Sequence, residues 1–264
     1  MSMNPHKIAN LSVLLNETPT SYYWMGFLIA DGHFYNRGAI KLHLSEKDRE
    51  QINKFRRFVH YSGKAKTCTM NAMNPTVVHK IMNKFHITNL KTYNPCSIRW
   101  IEGDLLFSLI VGMFDGDGNI RWRNNSVSAL EMKLHKNWFE NLRFIESFLY
   151  EYLKVEKSKN VSLTRLRKDG YSVIILSDRY LLALIRKKSE ELKIPFMKRK
   201  LGKVDADYVS PYREYRNRVP KILELINCGM KQKDIAKTLS VTPQVVATTV
   251  YREKQKSNEN LDNC

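Results

Sequence analysis

Two aspartates close two apolar runs. Residues 24–34 read WMGFLIADGHF and residues 110–120 read IVGMFDGDGNI, so Asp31-Gly32 and Asp117-Gly118 each end a stretch suited to a core. One Asp-Gly pair is also an ordinary helix stop or turn. Here the pattern recurs: Gly26 matches Gly112, Phe27 matches Met113, and Asp31 matches Asp117, 86 residues apart. A carboxylate at a helix C-terminus faces the negative end of the macrodipole, and two such groups side by side are worse. A divalent cation is the economical compensation. Hard oxygen ligands favour Mg²⁺, which keeps several waters and binds phosphate oxygens, although Mn²⁺ or Ca²⁺ can occupy such sites.

The elements that must position this pair are helices apolar on nearly all sides, hence buried. Gly26 and Gly112 each cost about 1 kcal/mol of helix propensity relative to alanine. Close backbone approach compensates, with Ala30 and Gly116 four residues further along the same faces. Two helices packed in the same direction along Gly26/Ala30 and Gly112/Gly116 end with Asp31 beside Asp117.

The duplication continues downstream. A turn at Asn36-Arg37-Gly38 precedes AIKLHLSEKDREQINKFRRFV, and a turn at Asn124-Asn125 precedes ALEMKLHKNWFENLRFIESFL. Leu44, Ile52, Phe55 and Phe58 match Leu134, Leu142, Ile145 and Phe148. Strands are expected over 39–45 and 128–135. A second hairpin follows in each half: 64–70 with 76–82 in the first, and 161–177 around Asp169-Gly170 in the second. Helices over about 78–85 and 178–192 follow, the latter capped by Ser177 or Asp178. The halves close on ITNLKTYN and IPFMKRKL, which sets Lys91 opposite Lys198. The reading is α+β: two pseudo-symmetric αββαββα halves, 1–100 and 101–203, packed through the motif helices.

Composition narrows the partner. With 44 Lys+Arg against 26 Asp+Glu, the formal net charge is +18, spread along the chain, which favours nucleic acid. The longest apolar runs are too short for a bilayer, no amphipathic lipid-facing helix is evident, and MSMNPHKIANLSVLL shows no signal-peptide cleavage pattern. Four distant cysteines show no zinc spacing and suit a reducing compartment. An intracellular setting is expected, in the cytoplasm or nucleoid of a bacterial or phage host, with an organelle left open.

After a linker over 204–218, residues 219–256 resemble a helix-turn-helix DNA-binding module. Ile222, Leu225 and Ile226 mark one helix, Ile235, Ala236 and Leu239 a second, and Val246 and Val250 a third opened by Thr242-Pro243. The recognition helix, about 243–253, turns Gln244, Thr248 and Arg252 outward, with Thr249 near the edge. Residues 257–264 read as a disordered tail.

The two motifs, residues 24–32 and 110–118, resemble those of the LAGLIDADG homing endonucleases in the single-chain, two-motif form. The resemblance spans about 20–203. It implies sheets forming a saddle over the DNA major grooves and metal-binding acids at Asp31 and Asp117, beside Ala30 and Gly116. It implies hydrolysis of one phosphodiester per strand at a long asymmetric target, by a monomer, in intron homing. Lys91 and Lys198 resemble the basic pair late in each half, and His43 and Lys133 the polar residue on each second strand. DNA contacts fall to the sheet faces: Arg37 and Lys41 in the first half, and Arg121, Arg123, Arg165 and Arg167 in the second. One departure stands out: the sixth motif position is Asp115 in the second copy and Ile29 in the first. About 200° round the helix from Asp117, Asp115 reads as a supporting residue. The rival reading on the same scaffold is a non-cleaving binder, an intron RNA maturase or a transcription regulator.

Overall fold

The computed structural model describes residues 9–63, 68–124, 126–157, 162–209 and 211–261. The chain divides into two compact units, Met1–Tyr208 and Val209–Cys264.

In the first unit each motif run forms a helix. Helix α1 (Pro19–Asp31) starts at Thr18, whose side chain accepts from Ser21 N, with Pro19 at the first helical position. It leads directly into β1 (Gly32–Tyr35) and β2 (Ala39–His43), then α2 (Arg49–Phe58), β3 (Thr69–Met73) and α3 (Pro75–Lys84). The second half repeats this with α4 (Gly103–Asp117), β4 (Gly118–Arg123), β5 (Ser126–His135), α5 (Phe139–Tyr152), β6 (Ser162–Leu166), β7 (Tyr171–Leu176) and α6 (Arg179–Glu191). Each half builds one antiparallel sheet, ordered β1-β2-β3 and β4-β5-β7-β6. This is the expected α+β fold of two halves joined through their motif helices.

The second half is a full αββαββα unit. The first is one strand short among the described residues. The strand expected at 76–82 belongs to α3, because Asn74 accepts from Val77 N and Pro75 opens a helix that buries Val78 and Ile81 three residues apart. Of the strand expected at 64–70, residues 64–67 lie outside the described residues. The observed strand, β3, runs past the expected end at Met70 to Met73 and pairs with β2 from Ala39↔Met73 to His43↔Thr69, much as β7 pairs with β5.

Turn chemistry sets both strand registers. Gly38 takes φ +81°, a left-handed conformation open to glycine, and its N–H donates to Tyr35 O at 2.8 Å. Gly170, at φ +80°, closes β6 onto β7. Asp178 caps α6 through Tyr180 N and Leu181 N, as expected.

The core centres on α1 and α4. Residues Tyr22–Ile29 and Leu106–Asp115 are buried round nearly the whole circumference of each helix. A Cβ added at Gly26 would stand 1.9 Å from Leu109 O, one at Gly112 2.0 Å from Tyr23 O, and one at Gly116 2.3 Å from Ala30 Cβ. Gly26 meets Leu109 and its repeat Gly112 meets Tyr23, the repeat of Leu109, with Ala30 and Gly116 meeting beyond them, so the two helices cross symmetrically and run in the same direction with backbones in contact.

The second unit has α7 (Pro211–Asn227), α8 (Gln232–Thr238) and α9 (Pro243–Leu261) around Ile222, Ile235, Ala236 and Val246. Gly229, at φ +78°, ends α7, and Ser240, at φ +51°, turns the chain after α8. Two boundaries and one side chain differ from expectation. Helix α7 starts inside the expected linker and carries Pro220 within it. Helix α9 continues to Leu261, through most of the expected disordered tail. Thr249 is not at an edge: it is fully buried, its hydroxyl donating to Val245 O at 2.8 Å. Among the described residues no helix is long and apolar enough to cross a membrane.

Candidate active site

Asp31 and Asp117 are the last residues of α1 and α4, where the parallel crossing brings the helix ends together. Both side chains reach solvent, yet protein surrounds their carboxyl groups. Burial, reinforced by the charge of Asp31, pushes the Asp117 carboxyl up to about 6. Burial also raises Asp31, against the pull of Lys200 and Lys91. The pair is therefore short of positive charge.

Two buried lysines supply part of it. Lys91, 9% exposed, donates from Nζ to Ile29 O at 2.5 Å and Ala30 O at 2.8 Å. Lys200, 5% exposed, donates to Asp115 O at 2.5 Å, Gly116 O at 2.8 Å and Phe114 O at 3.4 Å. Each thus satisfies orphan carbonyls in the last turn of its own motif helix and sets an ammonium against the negative dipole end. Burial depresses both ammonium pKa values. The acids oppose this, Asp117 and Asp31 at Lys91, and Asp115 and Asp31 among others at Lys200.

The partner of Lys91 is Lys200, not Lys198. The Lys198 side chain is 78% exposed and lies 3.6 Å from Glu50. Local geometry shows why. Lys91 N donates to Thr88 O (3.2 Å) and Lys200 N to Met197 O (3.1 Å), so each lysine ends an equivalent turn. Aligning the two phrases on Ile87 and Ile194 overlooks two extra residues in the second.

The donor set suits a hard divalent cation. Two carboxylates end adjoining helices, close enough for the charge of Asp31 to act on Asp117, and the Ala30 and Gly116 carbonyls each keep a second lone pair beside their lysine bond. Among the described residues no cluster of three His, Cys, Asp or Glu side chains could hold a metal. Further ligands would be water or phosphate oxygen, which is the habit of Mg²⁺.

His43 and Lys133 follow Leu42 and Met132, the strand partners of Gly32 and Gly118, so each stands beside the end of its own motif helix. His43 Nδ1 lies 2.6 Å from Thr69 Oγ1, and Lys133 sits 3.2 Å from Asp169 and 4.0 Å above the Tyr171 ring. Asp115 is 2% exposed and pushed up to about 6 by burial. Its Oδ2 accepts from Tyr23 OH at 2.8 Å and Met197 N at 2.7 Å.

The candidate DNA contacts line outward sheet faces. Lys41 alternates with buried neighbours on β2, and Arg37 lies over Tyr35 at 5.0 Å in the turn before it. Arg121, Trp122 and Arg123 are all exposed on β4, where the pairing shift between Arg121 and Trp122 leaves Ser128 of β5 bulged. Two arginines hold acids: Arg121 is 2.6 Å from Glu131, and Arg167, in the turn beyond β6, is 3.3 Å from Asp169. Arg165 is exposed on β6 beside Leu163 and Leu166, two exposed apolar side chains. In the second unit Gln244 and Arg252 are exposed and Thr248 half-buried along α9.

No family profile and no curated protein matches the sequence. Solved structures of LAGLIDADG homing endonucleases do resemble the fold. I-SmaMI bound to an uncleaved DNA target in the presence of calcium ions aligns with TM-score 0.45 and 9% identity, over 85% of this chain and 98% of that one. I-GzeII, a LAGLIDADG homing endonuclease in complex with its DNA target, aligns with TM-score 0.41 and 11% identity, over 84% and 97%. The LAGLIDADG meganuclease I-AabMI bound to uncleaved DNA gives TM-score 0.41 and 10% identity, over 88% and 96%.

Proposed function

We propose that the chain is a site-specific, Mg²⁺-dependent double-strand DNA endonuclease of the LAGLIDADG intron-homing type, active as a monomer. The observation that carries this reading is the pairing of Asp31 and Asp117 at the joined ends of parallel motif helices, each backed by a buried lysine. The net charge of +18 supports double-stranded DNA as partner.

Asp31 and Asp117 would hold the metal, with the Ala30 and Gly116 carbonyls beside them. When bound, the metal supplies Lewis-acid chemistry: a more acidic water and charge neutralisation at the scissile phosphate. Lys91 and Lys200 fix the helix ends and add positive charge where phosphate must approach. Outward residues of both sheets bind DNA. Those residues differ between the halves, so the target is asymmetric. The second unit acts as a tethered helix-turn-helix, raising affinity through effective concentration and lengthening the site.

Replacing Asp31 or Asp117 by Asn tests the reading on the target recovered from a cleavage selection. Each variant is expected to bind that target and to lose double-strand cleavage. Full cleavage by either would end the two-acid mechanism. Specific binding without cleavage by the unaltered chain would favour the maturase or regulator reading.

A further inference from the structure

The two halves hold their buried lysines in different ways. In the second half, Asp115 fastens both ends of one turn. Its carboxylate Oδ2 accepts from Met197 N at 2.7 Å, while its carbonyl accepts from Lys200 Nζ at 2.5 Å. The turn between is closed by Lys200 N donating to Met197 O at 3.1 Å. Tyr23 OH, from the other half, donates to the same Oδ2 at 2.8 Å. Gln51 Nε2 in turn donates to Tyr23 OH at 2.5 Å and to Pro195 O at 2.8 Å. Arg199, next to Lys200, is bound to Asp48, with Nη2 to Oδ2 at 2.8 Å. The segment 195–200 is thus pinned to its own motif helix and to the other half together.

The first half lacks this device, because Ile29 stands where Asp115 does. Its turn is held from outside: Trp138 Nε1 donates to Lys91 O at 3.2 Å and Thr92 O at 3.1 Å, and Asn141 Nδ2 to Cys96 O at 2.9 Å. Both lysines still reach the final carbonyls of their motif helices. What differs is the group that sets their position.

We infer that Asp115 is a positioning residue for Lys200, and through it for cleavage of one DNA strand, a role with no counterpart in the first half. The chemistry demands an acceptor at this point. Met197 N and Tyr23 OH are buried donors, and only a side-chain oxygen at 115 meets both. Losing it frees the start of the turn whose end carries Lys200. The Lys91 turn, held by Trp138, keeps its geometry. Cleavage depends steeply on placement, so strand-specific slowing follows.

The inference rests on the nuclease reading, and the test separates the two. A supercoiled plasmid carrying the selected target is cut with Mg²⁺, and each strand is followed separately. Asp115→Ala is expected to accumulate nicked circles. The strand it slows, by about 10- to 100-fold, is the strand slowed by Lys200→Met and not by Lys91→Met. Asp115→Asn keeps an acceptor oxygen for Met197 N and is expected to restore the balance. Equal slowing of both strands by Asp115→Ala, or a bias towards the Lys91 strand, would overturn the inference. If Asp115→Ala does not fold, Tyr23→Phe is read instead, since it removes the Tyr23 bonds to Asp115 and Gln51 and leaves the acceptor for Met197 N. A smaller bias on the same strand is expected, and no bias overturns the proposal. An unaltered chain that cuts neither strand removes the nuclease reading, and this proposal with it.

Discussion

Replacing Gly112 by alanine is a sharp probe of how the acid pair is held. In an exposed helix the change would stabilise by about 1 kcal/mol through propensity. Here the added Cβ would stand 2.0 Å from Tyr23 O, 2.8 Å from Phe27 N and 2.9 Å from Tyr23 C, all backbone atoms. Non-bonded contacts settle near about 3.5 Å. No rotamer change relieves a backbone clash, so α1 and α4 must part by about 1 Å or more. Overpacking of this kind costs roughly 1–3 kcal/mol, which outweighs the propensity gain. For a unit of this size each kcal/mol lowers Tm by about 2–4 °C, so a fall of several degrees is expected. The larger effect is on chemistry, because the helix ends carry Asp31 and Asp117. A displacement near 1 Å costs on the order of a hundredfold in rate. Differential scanning calorimetry and cleavage kinetics on the selected target measure both. A Gly112→Ala chain that melts at or above the parent temperature and cuts at the parent rate would refute the close-packed seam.

Three further outcomes follow from the same geometry. Lys200→Met should slow cleavage at least tenfold with target binding retained, whereas Lys198→Met should not; the reverse order in a kinetic assay would reinstate Lys198 as the partner of Lys91. Asp117, raised to about 6, keeps its proton in the folded chain over a pH range where the unfolded chain has released it. Without Mg²⁺, the Tm of the parent relative to Asp117→Asn should therefore fall as pH rises from about 4 to 6; a flat or rising difference would contradict the raised value. Asp48 and Glu50 have lowered pKa values, and their support is lost towards acid in both chains, which the comparison cancels. Deleting residues 209–264 should leave the first unit folded and cutting while weakening binding and shortening the footprint; an unchanged footprint would deny the second unit a role in reading DNA.

Much of this was legible because it depends on short-range constraints. The paired glycines, the terminal aspartates and the turn at Gly170 each need a particular residue type at a particular place. The core of the second unit was readable from helical spacing at Ile222, Ile235, Ala236 and Val246. What escaped depended on register or competition. Lys200 was hidden by two extra residues between motif phrases, and KRK offers three cations from which sequence alone picks poorly. The stretch 76–82 is rich in β-branched and apolar residues, but Asn74-Pro75 is a helix start, and that cap decided the structure. Asp115 was recognised as different from Asp117. Its bond to Met197 N crosses 82 positions of sequence and left no local trace.

The most direct measurement is a cleavage selection. The purified chain, with Mg²⁺, is incubated with randomised or host-derived DNA, and every new end is sequenced. The account predicts one recurrent long site, cut on both strands, and absent when Asp31 and Asp117 are both replaced by Asn. No cuts from a preparation that still binds specific DNA or intron RNA would contradict it, as would cuts that survive loss of both acids.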